Sequence, residues 1–308
     1  MIGLTSTAVK SRIGKQERID VAFQIEEGTF KGYDGSELFF QTWAKSRPTA
    51  VILGVHGLGE HSDSYKPLAE GLKDTSFQLI MSDLRGHGRS SGKRGVGTID
   101  EYIRDLKLFF EVVRMRLPGL PIILLGHSMG GLTLLKFLVR NGDMGAAGCV
   151  LSSPLLGVTL EVSSLKLKSA KMLAMLAPNL TLSNEIVAST LSHDSAITSA
   201  YEFDHWRHDR VSARLYLAIL KDIDYVFLCS DKIQLPILIQ QAGDDLIVSQ
   251  SKAADFFQNL KNPDKKLIVY KDYYHEIYNE VGRGKVFADL IQWLEEHLSN
   301  ETGVGAKL

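Results

Sequence analysis

The stretch Pro121-Ile-Ile-Leu-Leu-Gly-His-Ser-Met-Gly-Gly-Leu132 decides the fold of this 308-residue chain. Its apolar run, residues 122–125, predicts a strand that is buried on both faces. The pattern G-x-S-x-G follows, and apolar residues then recur every three or four positions, which predicts a helix. Strand, sharp turn and helix are the context of a nucleophile elbow. We therefore predict that Ser128 lies at the tip of a tight turn, in which a Cβ at either flanking glycine would clash with a neighbouring segment. The serine would then lie at a helix N-terminus, which favours negative charge.

Apolar runs and helical patterns alternate on both sides of this stretch. The turn residues Tyr33-Asp34-Gly35 are expected to join the first two strands as a hairpin. The other predicted strands and helices are, in order, strands at 27–30, 38–43, 50–55, 77–81, 148–151, 235–240 and 266–270, and helices at 65–72, 99–117, 249–260 and 284–298. This alternation predicts βαβ units and a mostly parallel central sheet flanked by helices, which is an α/β fold.

The alternation stops in the middle of the chain. Residues 155–231 show helical patterns and no convincing strand, so we interpret them as a helical cap, or lid, inserted into the core. The two parts of the core are then residues 21–154 and 232–308. The polar residues 1–20 are interpreted as an N-terminal arm.

Composition and charge exclude several classes of function. A net charge of −1 offers no general attraction to nucleic acid. No ligand pattern such as H-E-x-x-H occurs, so we predict neither a metal nor another cofactor. No apolar run approaches the roughly 20 residues of a membrane span, and the N-terminus lacks the apolar core of a signal peptide. These features predict a cytoplasmic protein.

Two further residues complete a catalytic constellation with the elbow serine. A serine hydroxyl needs a base to remove its proton, and the base needs a third group to orient it. In this kind of fold, the acid and then the histidine follow the serine along the chain, each after a late strand. The last two predicted strands lead to Asp244-Asp245 and to His275. We predict the triad Ser128, Asp245 and His275, because Asp245-Leu-Ile-Val248 has the D-x-x-V spacing of an acid loop. Asp244 remains the alternative.

The tetrahedral intermediate of acyl transfer needs two N–H donors aimed at its oxyanion. One is the backbone N–H of Met129, which follows the nucleophile. The second is expected from the glycine-containing loop His56-Gly-Leu-Gly59 after the third strand, with Leu58 as the candidate donor. We expect His56 and His127 to orient these loops by hydrogen bonding.

At this point the sequence resembles the monoacylglycerol lipase and lysophospholipase branch of the α/β-hydrolases, from about residue 27 to residue 298. The stretches that match are His56-Gly-Leu-Gly-Glu-His-Ser62, Asp83-Leu-Arg-Gly-His-Gly-Arg-Ser90, Gly126-His-Ser-Met-Gly-Gly131 and His275-Glu276. The cap is also similar, at Leu191-Ser192, Ala200-Tyr201 and Val211-Ser-Ala-Arg214.

The resemblance implies a serine hydrolase with the α/β-hydrolase fold and a lid. It implies Ser128 as nucleophile, Asp245 as acid, His275 as base, and Leu58 and Met129 as the oxyanion-hole residues. The implied substrate is a small-molecule lipid ester with a single acyl chain, either monoacylglycerol or lysophospholipid.

The chain departs from the family at one position near the substrate. Monoacylglycerol lipases commonly continue the His-Ser pair with Gly-Arg-Tyr, and that arginine lies near the polar head of the substrate. Here the segment is Asp63-Ser-Tyr65, so Ser64 stands where the arginine is expected. The departure leaves recognition of a glycerol head open.

The cap contains a helical pattern at residues 162–176 with two kinds of apolar residue. Those predicted to share its buried face are Val162, Leu165, Met172, Leu173 and Leu176. Leu167 and Met175 fall on other sides, near Lys168 and Lys171. One interpretation is a packed cap helix with incidental exposed apolar residues. The alternative is a lid that lines an acyl-chain tunnel and makes transient contact with a membrane surface, which would make the protein peripheral to the membrane.

Other functions share the same triad. A general carboxylesterase, a thioesterase, a peptidase, a peroxidase or an acyltransferase would keep all three residues. A non-catalytic receptor of the same fold is the alternative from a different class, but such proteins usually lose a triad residue.

Overall fold

The computed structural model describes residues 23–159 and 164–298. Their central feature is an eight-stranded sheet. The strands are β1 (Gln24–Lys31), β2 (Glu37–Ala44), β3 (Ala50–Val55), β4 (Phe77–Ser82), β5 (Ile122–His127), β6 (Gly148–Ser152), β9 (Ile237–Ala242) and β10 (Lys265–Tyr270). They lie side by side in the order β1-β2-β4-β3-β5-β6-β9-β10.

The pairing of these strands confirms the predicted fold class. Strand β2 pairs antiparallel with β1 and with β4. The neighbours from β4 to β10 pair in parallel. Phe30 lies opposite Leu38 across the turn that contains Gly35, as expected for the predicted hairpin. The sheet is therefore mostly parallel, as the alternation of strands and helices indicates.

Both faces of the sheet are covered by helices. Along β5, Ile122 and Leu124 pack into one apolar core, whereas Ile123 and Leu125 pack into the other. This alternation explains why a central parallel strand is a continuous apolar run. Helices that pack into these cores include α1 (Lys66–Gly71), α2 (Ile99–Arg116), α3 (Met129–Asn141), α7 (Gln250–Asn259) and α8 (Arg283–Leu298). No described helix has the length and apolar character needed to cross a membrane.

The cap segment lies between β6 and β9. Its elements are α4 (Ser164–Leu176), β7 (Thr181–Ser183), α5 (Ser195–Glu202), β8 (Arg210–Ser212) and α6 (Ala213–Leu228). Strands β7 and β8 pair antiparallel, so the expectation that this segment contains no strand is wrong. The sequence does not reveal these strands because each has only three residues, too few for a period-two pattern. The two strands also lie far apart in the sequence. The exact boundaries of the cap at residues 155 and 231 stay a prediction.

The buried face predicted for helix α4 is also wrong in part. Met172 and Leu176 are 57% and 74% exposed, although the helical spacing assigns both to that face. Met175 is 83% exposed, as its position on another side of the helix predicts. Val162 and the side chains of Leu165 and Leu167 lie outside the described residues. The helix therefore presents apolar side chains to solvent on more than one side.

Polar contacts join the cap to the core. Lys136 of α3 is buried, and its Nζ lies 2.8 Å from Asp222 of cap helix α6 and 2.8 Å from Asp100 of α2. Arg214, at the start of α6, pairs with Glu101 of α2 at 2.8 Å. The cap is thus held on α2 and α3 by ion pairs as well as by apolar packing, since Leu215, Ile219 and Val226 of α6 belong to the same apolar core as these helices.

Candidate active site

Ser128 occupies the sharp turn between β5 and α3. Its backbone has φ 52° and ψ −119°, so φ lies in a region that side-chain-bearing residues rarely adopt. The Ser128 N–H donates to the carbonyl of Ser152 at 3.0 Å, and its carbonyl accepts from Leu155 at 3.0 Å. These backbone bonds hold the strained turn against the end of β6.

The two glycines of the elbow are required by close packing. A Cβ on Gly130 would lie 2.1 Å from the carbonyl oxygen of Val55. A Cβ on Gly126 would lie 2.8 Å from the carbonyl oxygen of Gly130. Neither atom is at the end of a flexible side chain, so neither could move away cheaply. The predicted role of the glycine pattern is confirmed by these distances.

Asp245 and His275 lie in the loops after β9 and β10. The His275 Nδ1–H donates to Asp245 Oδ2 at 2.8 Å. The other carboxylate oxygen accepts the N–H groups of Ile247 and Val248, each at 2.9 Å, which fixes the carboxylate towards the imidazole. The neighbouring Asp244 is exposed. Of the two adjacent aspartates, Asp245 is therefore the one that faces the histidine.

The two groups shift each other's pKa. Burial alone would lower the pKa of the His275 imidazole, but the carboxylate of Asp245, assisted by Glu276 and Glu60, raises it. Burial alone would raise the pKa of the Asp245 carboxyl, but His275 and the two backbone N–H groups lower it. Because Asp245 engages Nδ1, the nitrogen left for the pocket that Ser128 lines is Nε2.

Met129 and Leu58, the two residues predicted to form the oxyanion hole, lie on segments next to Ser128. Met129 is the first residue of α3, and Leu58 lines the same pocket as Ser128. Glu60 accepts the neighbouring Gly57 N–H at 2.8 Å, which fixes the loop that carries Leu58. From the cap, the His208 N–H donates to the Gly59 carbonyl at 3.0 Å.

His56 and His127 hold backbone segments in place, as predicted. His56 Nδ1 donates to the carbonyl of Gly57 at 2.7 Å, and its Nε2 accepts the Leu84 N–H at 2.9 Å. His127 Nδ1 donates to the carbonyl of Ser152 at 3.0 Å. Burial lowers the pKa of each imidazole to about 3, so both are neutral at physiological pH.

The pocket above Ser128 has a volume of about 360 Å³. Core loops supply Ser128 and His275, and the cap supplies the facing wall, which includes Ile186, Leu191 and Tyr201. Within residues 23–159 and 164–298, no group of three or more His, Cys, Asp or Glu side chains is arranged to hold a metal ion. The pocket is therefore a cleft between core and cap that opens onto the serine.

One wall of the pocket is a polar cluster whose role the sequence did not indicate. Arg207 of the cap places Nη2 2.7 Å from Oε1 of Glu276, the residue after His275. Tyr201 donates its hydroxyl to the other oxygen of Glu276, and Asn279 Nδ2 donates to the same oxygen at 2.7 Å. Glu60 lies nearby, with Oε1 3.9 Å from Arg207 Nη2. The only feature of the sequence that points to this cluster is the position of Glu276, directly after the predicted base His275.

The family described as "Serine aminopeptidase, S33" matches residues 46–282, which is more than half of the chain. The chain belongs to this family. Membership makes it a serine hydrolase of the α/β-hydrolase fold, in the branch that includes the monoacylglycerol lipases, and confirms the resemblance drawn from the motifs.

Similar proteins agree with this assignment. Human monoglyceride lipase is 32% identical over 85% of this chain and 88% of its own length. Phospholipase YtpA of Bacillus subtilis is 31% identical over 80% of this chain and 95% of its own length. An uncharacterized abhydrolase domain-containing protein of Dictyostelium discoideum is 29% identical over 87% of this chain, which spans only 28% of that longer protein.

A solved structure extends the similarity to three dimensions. The crystal structure of Paleococcus ferrophilus monoacylglycerol lipase superposes with a TM-score of 0.75. It is 29% identical and covers 89% of this chain and 99% of its own. The similarity therefore extends over most of the chain.

Proposed function

We propose that this protein hydrolyses carboxylic esters of single-chain lipids, either monoacylglycerols or lysophospholipids, through an acyl-serine intermediate. The observation that carries the proposal is that Ser128 and His275 line one pocket and that Asp245 is hydrogen-bonded to His275. Similarity to a monoglyceride lipase and to a phospholipase supports a lipid ester as the substrate class.

The first half of the reaction transfers the acyl group to the enzyme. His275 Nε2 takes the proton of the Ser128 hydroxyl while Oγ attacks the ester carbonyl carbon. The backbone N–H groups of Met129 and Leu58 stabilise the oxyanion that forms. The bond between the carbonyl carbon and the alcohol oxygen then breaks, and His275 gives its proton to the departing alcohol.

The second half releases the fatty acid. His275 takes a proton from a water molecule, which attacks the acyl carbon, and the proton passes to Ser128 Oγ as the acyl bond breaks. Asp245 remains ionised throughout, because its lowered pKa and its hydrogen bond to His275 favour the pair of carboxylate and imidazolium. One water and one ester become one acid and one alcohol.

We expect a fluorophosphonate probe to label Ser128 and the Ser128→Ala variant to lose both labelling and ester hydrolysis. The control is Ser251→Ala, an exposed serine at the start of α7 that does not line the pocket. Labelling that persists in the Ser128→Ala variant contradicts the proposed nucleophile. A panel of p-nitrophenyl esters, monoacylglycerols, lysophosphatidylcholine and acyl thioesters then separates a lipase from a general esterase or a thioesterase.

The exposed apolar surface of helix α4 supports contact between the cap and a lipid surface. Met172, Met175 and Leu176 are exposed, and Lys168 and Lys171 beside them are exposed too. Apolar side chains that enter a lipid surface, with lysines at the headgroup level, are the features of an interfacial helix. This arrangement favours a protein that binds a membrane surface transiently while it extracts its substrate.

A further inference from the structure

Another cavity, separate from the active-site pocket, lies between helices α2 and α3. Its volume is about 540 Å³, which is within the range of small-molecule binding sites. Its lining residues are Asp100, Ile103, Arg104, Lys107, Arg140 and Asn141. Three of the charged side chains are cationic and one is anionic, so two positive charges are in excess. None of these residues lines the pocket above Ser128, and the hydrolysis of an ester does not use them.

Two arginines reach this cavity from different helices, and both contact Asp100. Arg140 of α3 donates from Nη2 to Asp100 Oδ1 at 3.3 Å. Arg104 of α2 donates from Nε to the backbone carbonyl of Asp100 at 3.4 Å. These contacts with one residue bring the two guanidinium groups close to each other.

Each guanidinium also lies over an aromatic ring. Arg104 is 3.9 Å from the centre of the Tyr33 ring, which belongs to the hairpin turn. Arg140 is 5.8 Å from the centre of the Tyr225 ring, which belongs to cap helix α6. A cation over a ring is attracted to the ring face, while its N–H edge stays available for a ligand. The two arginines are therefore partly preorganised for an acceptor in the cavity.

The protein compensates only part of the positive charge at this cavity. Asp100 Oδ1 accepts Lys136 Nζ at 2.8 Å, a shorter contact than the one with Arg140. The negative charge of Asp100 is thus shared between two cations. Lys107 is exposed and has no ion-pair partner among residues 23–159 and 164–298. An anionic ligand would offset the repulsion among the three cations that line the cavity.

We propose that the cavity between α2 and α3 binds the phosphate group of a phosphomonoester. Such a group carries a charge of roughly −1.5 to −2 at neutral pH, which matches the two positive charges in excess. Its oxygens accept paired N–H groups from the planar guanidinium groups of Arg104 and Arg140, and Lys107 adds a point charge. The same group occurs in soluble phosphate esters and in the head group of phosphatidate. This site is additional to the proposed ester hydrolysis.

The first test is isothermal titration calorimetry with methyl phosphate, a monoester, and with dimethyl phosphate, a diester of lower charge. We expect the wild type to bind methyl phosphate more tightly. Arg104→Met and Arg140→Met should each weaken that binding at least about tenfold, the size of a lost charge-assisted hydrogen bond. The matched control is Arg114→Met, since Arg114 is an exposed arginine of α2 outside the cavity.

The second test separates the two sources of the phosphate with vesicles that contain either phosphatidate or phosphatidylglycerol. Tighter binding to phosphatidate that is lost in Arg104→Met identifies the lipid head group as the ligand. Equal binding to both vesicles, together with selective binding of methyl phosphate, identifies a soluble ester.

Two results overturn the proposal. One is equal affinity of the wild type for methyl phosphate and dimethyl phosphate, or binding of neither. The other is unchanged affinity for methyl phosphate in the double variant Arg104→Met, Arg140→Met. Fluorophosphonate labelling of Ser128 at the wild-type rate checks the fold of each variant. Lys107→Met, which removes an exposed side chain without an ion pair among the described residues, replaces any arginine variant that does not fold.

Discussion

The core sheet and the cap differ in what stabilises them. Every residue of β3, β4, β5, β6 and β9 is buried. By contrast, cap helix α5 contains no buried residue. Yet the cap supplies Tyr201 and Arg207 to the pocket, whereas the core supplies Ser128 and His275, with Asp245 bonded to His275. The buried strands thus position the groups whose geometry the chemistry demands, whereas the exposed helix α5 and the loop after it supply the facing wall of the pocket.

The largest effect should come from the core alone. We expect Asp245→Asn to lower kcat about 10,000-fold, because the amide no longer stabilises the imidazolium and favours the wrong tautomer of His275. The exposed neighbour provides the control, and Asp244→Asn should retain nearly full activity. Steady-state kinetics on a p-nitrophenyl ester measures both. Similar losses in the two variants would contradict the geometry of the acid loop.

The next effect should appear where core and cap meet. Lys136→Met removes the cation between Asp100 and Asp222 and leaves Asp222 buried without its partner. We expect the free energy of unfolding to fall by about 3–5 kcal/mol, the usual cost of removing one partner of a buried ion pair. Urea unfolding measures the change, and Lys221→Met, on the exposed side of α6, is the control. A loss below about 1 kcal/mol, the size of a surface pair, would show that the contact does not hold the cap.

The pH dependence of kcat/KM should reflect the pKa of His275, a residue of the core. Because Asp245 raises the pKa of His275, the imidazole is protonated, and inactive as a base, up to a pH above its ordinary value of about 6.5. We therefore expect kcat/KM to rise with pH with a midpoint above 6.5. In Asp245→Asn the residual activity should rise at lower pH, since burial then acts without the carboxylate. An unchanged midpoint would indicate that another group limits the rate.

The smallest effect should be confined to the cap surface. We expect Met172→Ser, Met175→Ser to weaken binding to anionic vesicles several-fold, because two exposed apolar side chains no longer enter the lipid. Sedimentation with the vesicles measures the bound fraction. Ile25→Ser removes an equally exposed apolar residue from strand β1 and serves as the control. Equal binding of the two variants would exclude helix α4 as the lipid-facing element.

The same difference between regions explains what the sequence can predict. The central strands of the core are mostly apolar runs, so the amino-acid pattern locates them to within about two residues: the strand before Asp245 is predicted at 235–240 and lies at Ile237–Ala242. That precision is enough to identify Ser128, Asp245 and His275 as residues that follow strands. The site residues of the core follow strands whose carboxyl ends meet at one edge of the sheet, and order along the chain is enough to bring them together.

The cap can be predicted only in outline. Strands β7 and β8 have three residues each, too few for a periodic pattern. The pairing of Arg207 with Glu276 joins residues 69 positions apart, and nothing local to either residue indicates it. The helical spacing of Met172 and Leu176 predicts a shared buried face, but periodicity finds a buried side only when a helix packs against the core along one face.

The contact between Gly59 and His208 limits how this enzyme could be re-engineered. A Cβ on Gly59 would lie 2.1 Å from the carbonyl oxygen of His208, so the loop that carries Leu58 and the cap loop meet backbone to backbone. A cap grafted from a relative would have to reproduce this peptide-to-peptide fit before its new pocket could work. Exchanging lids to change substrate range therefore requires residues 57–59 and the cap loop to be transferred as one block.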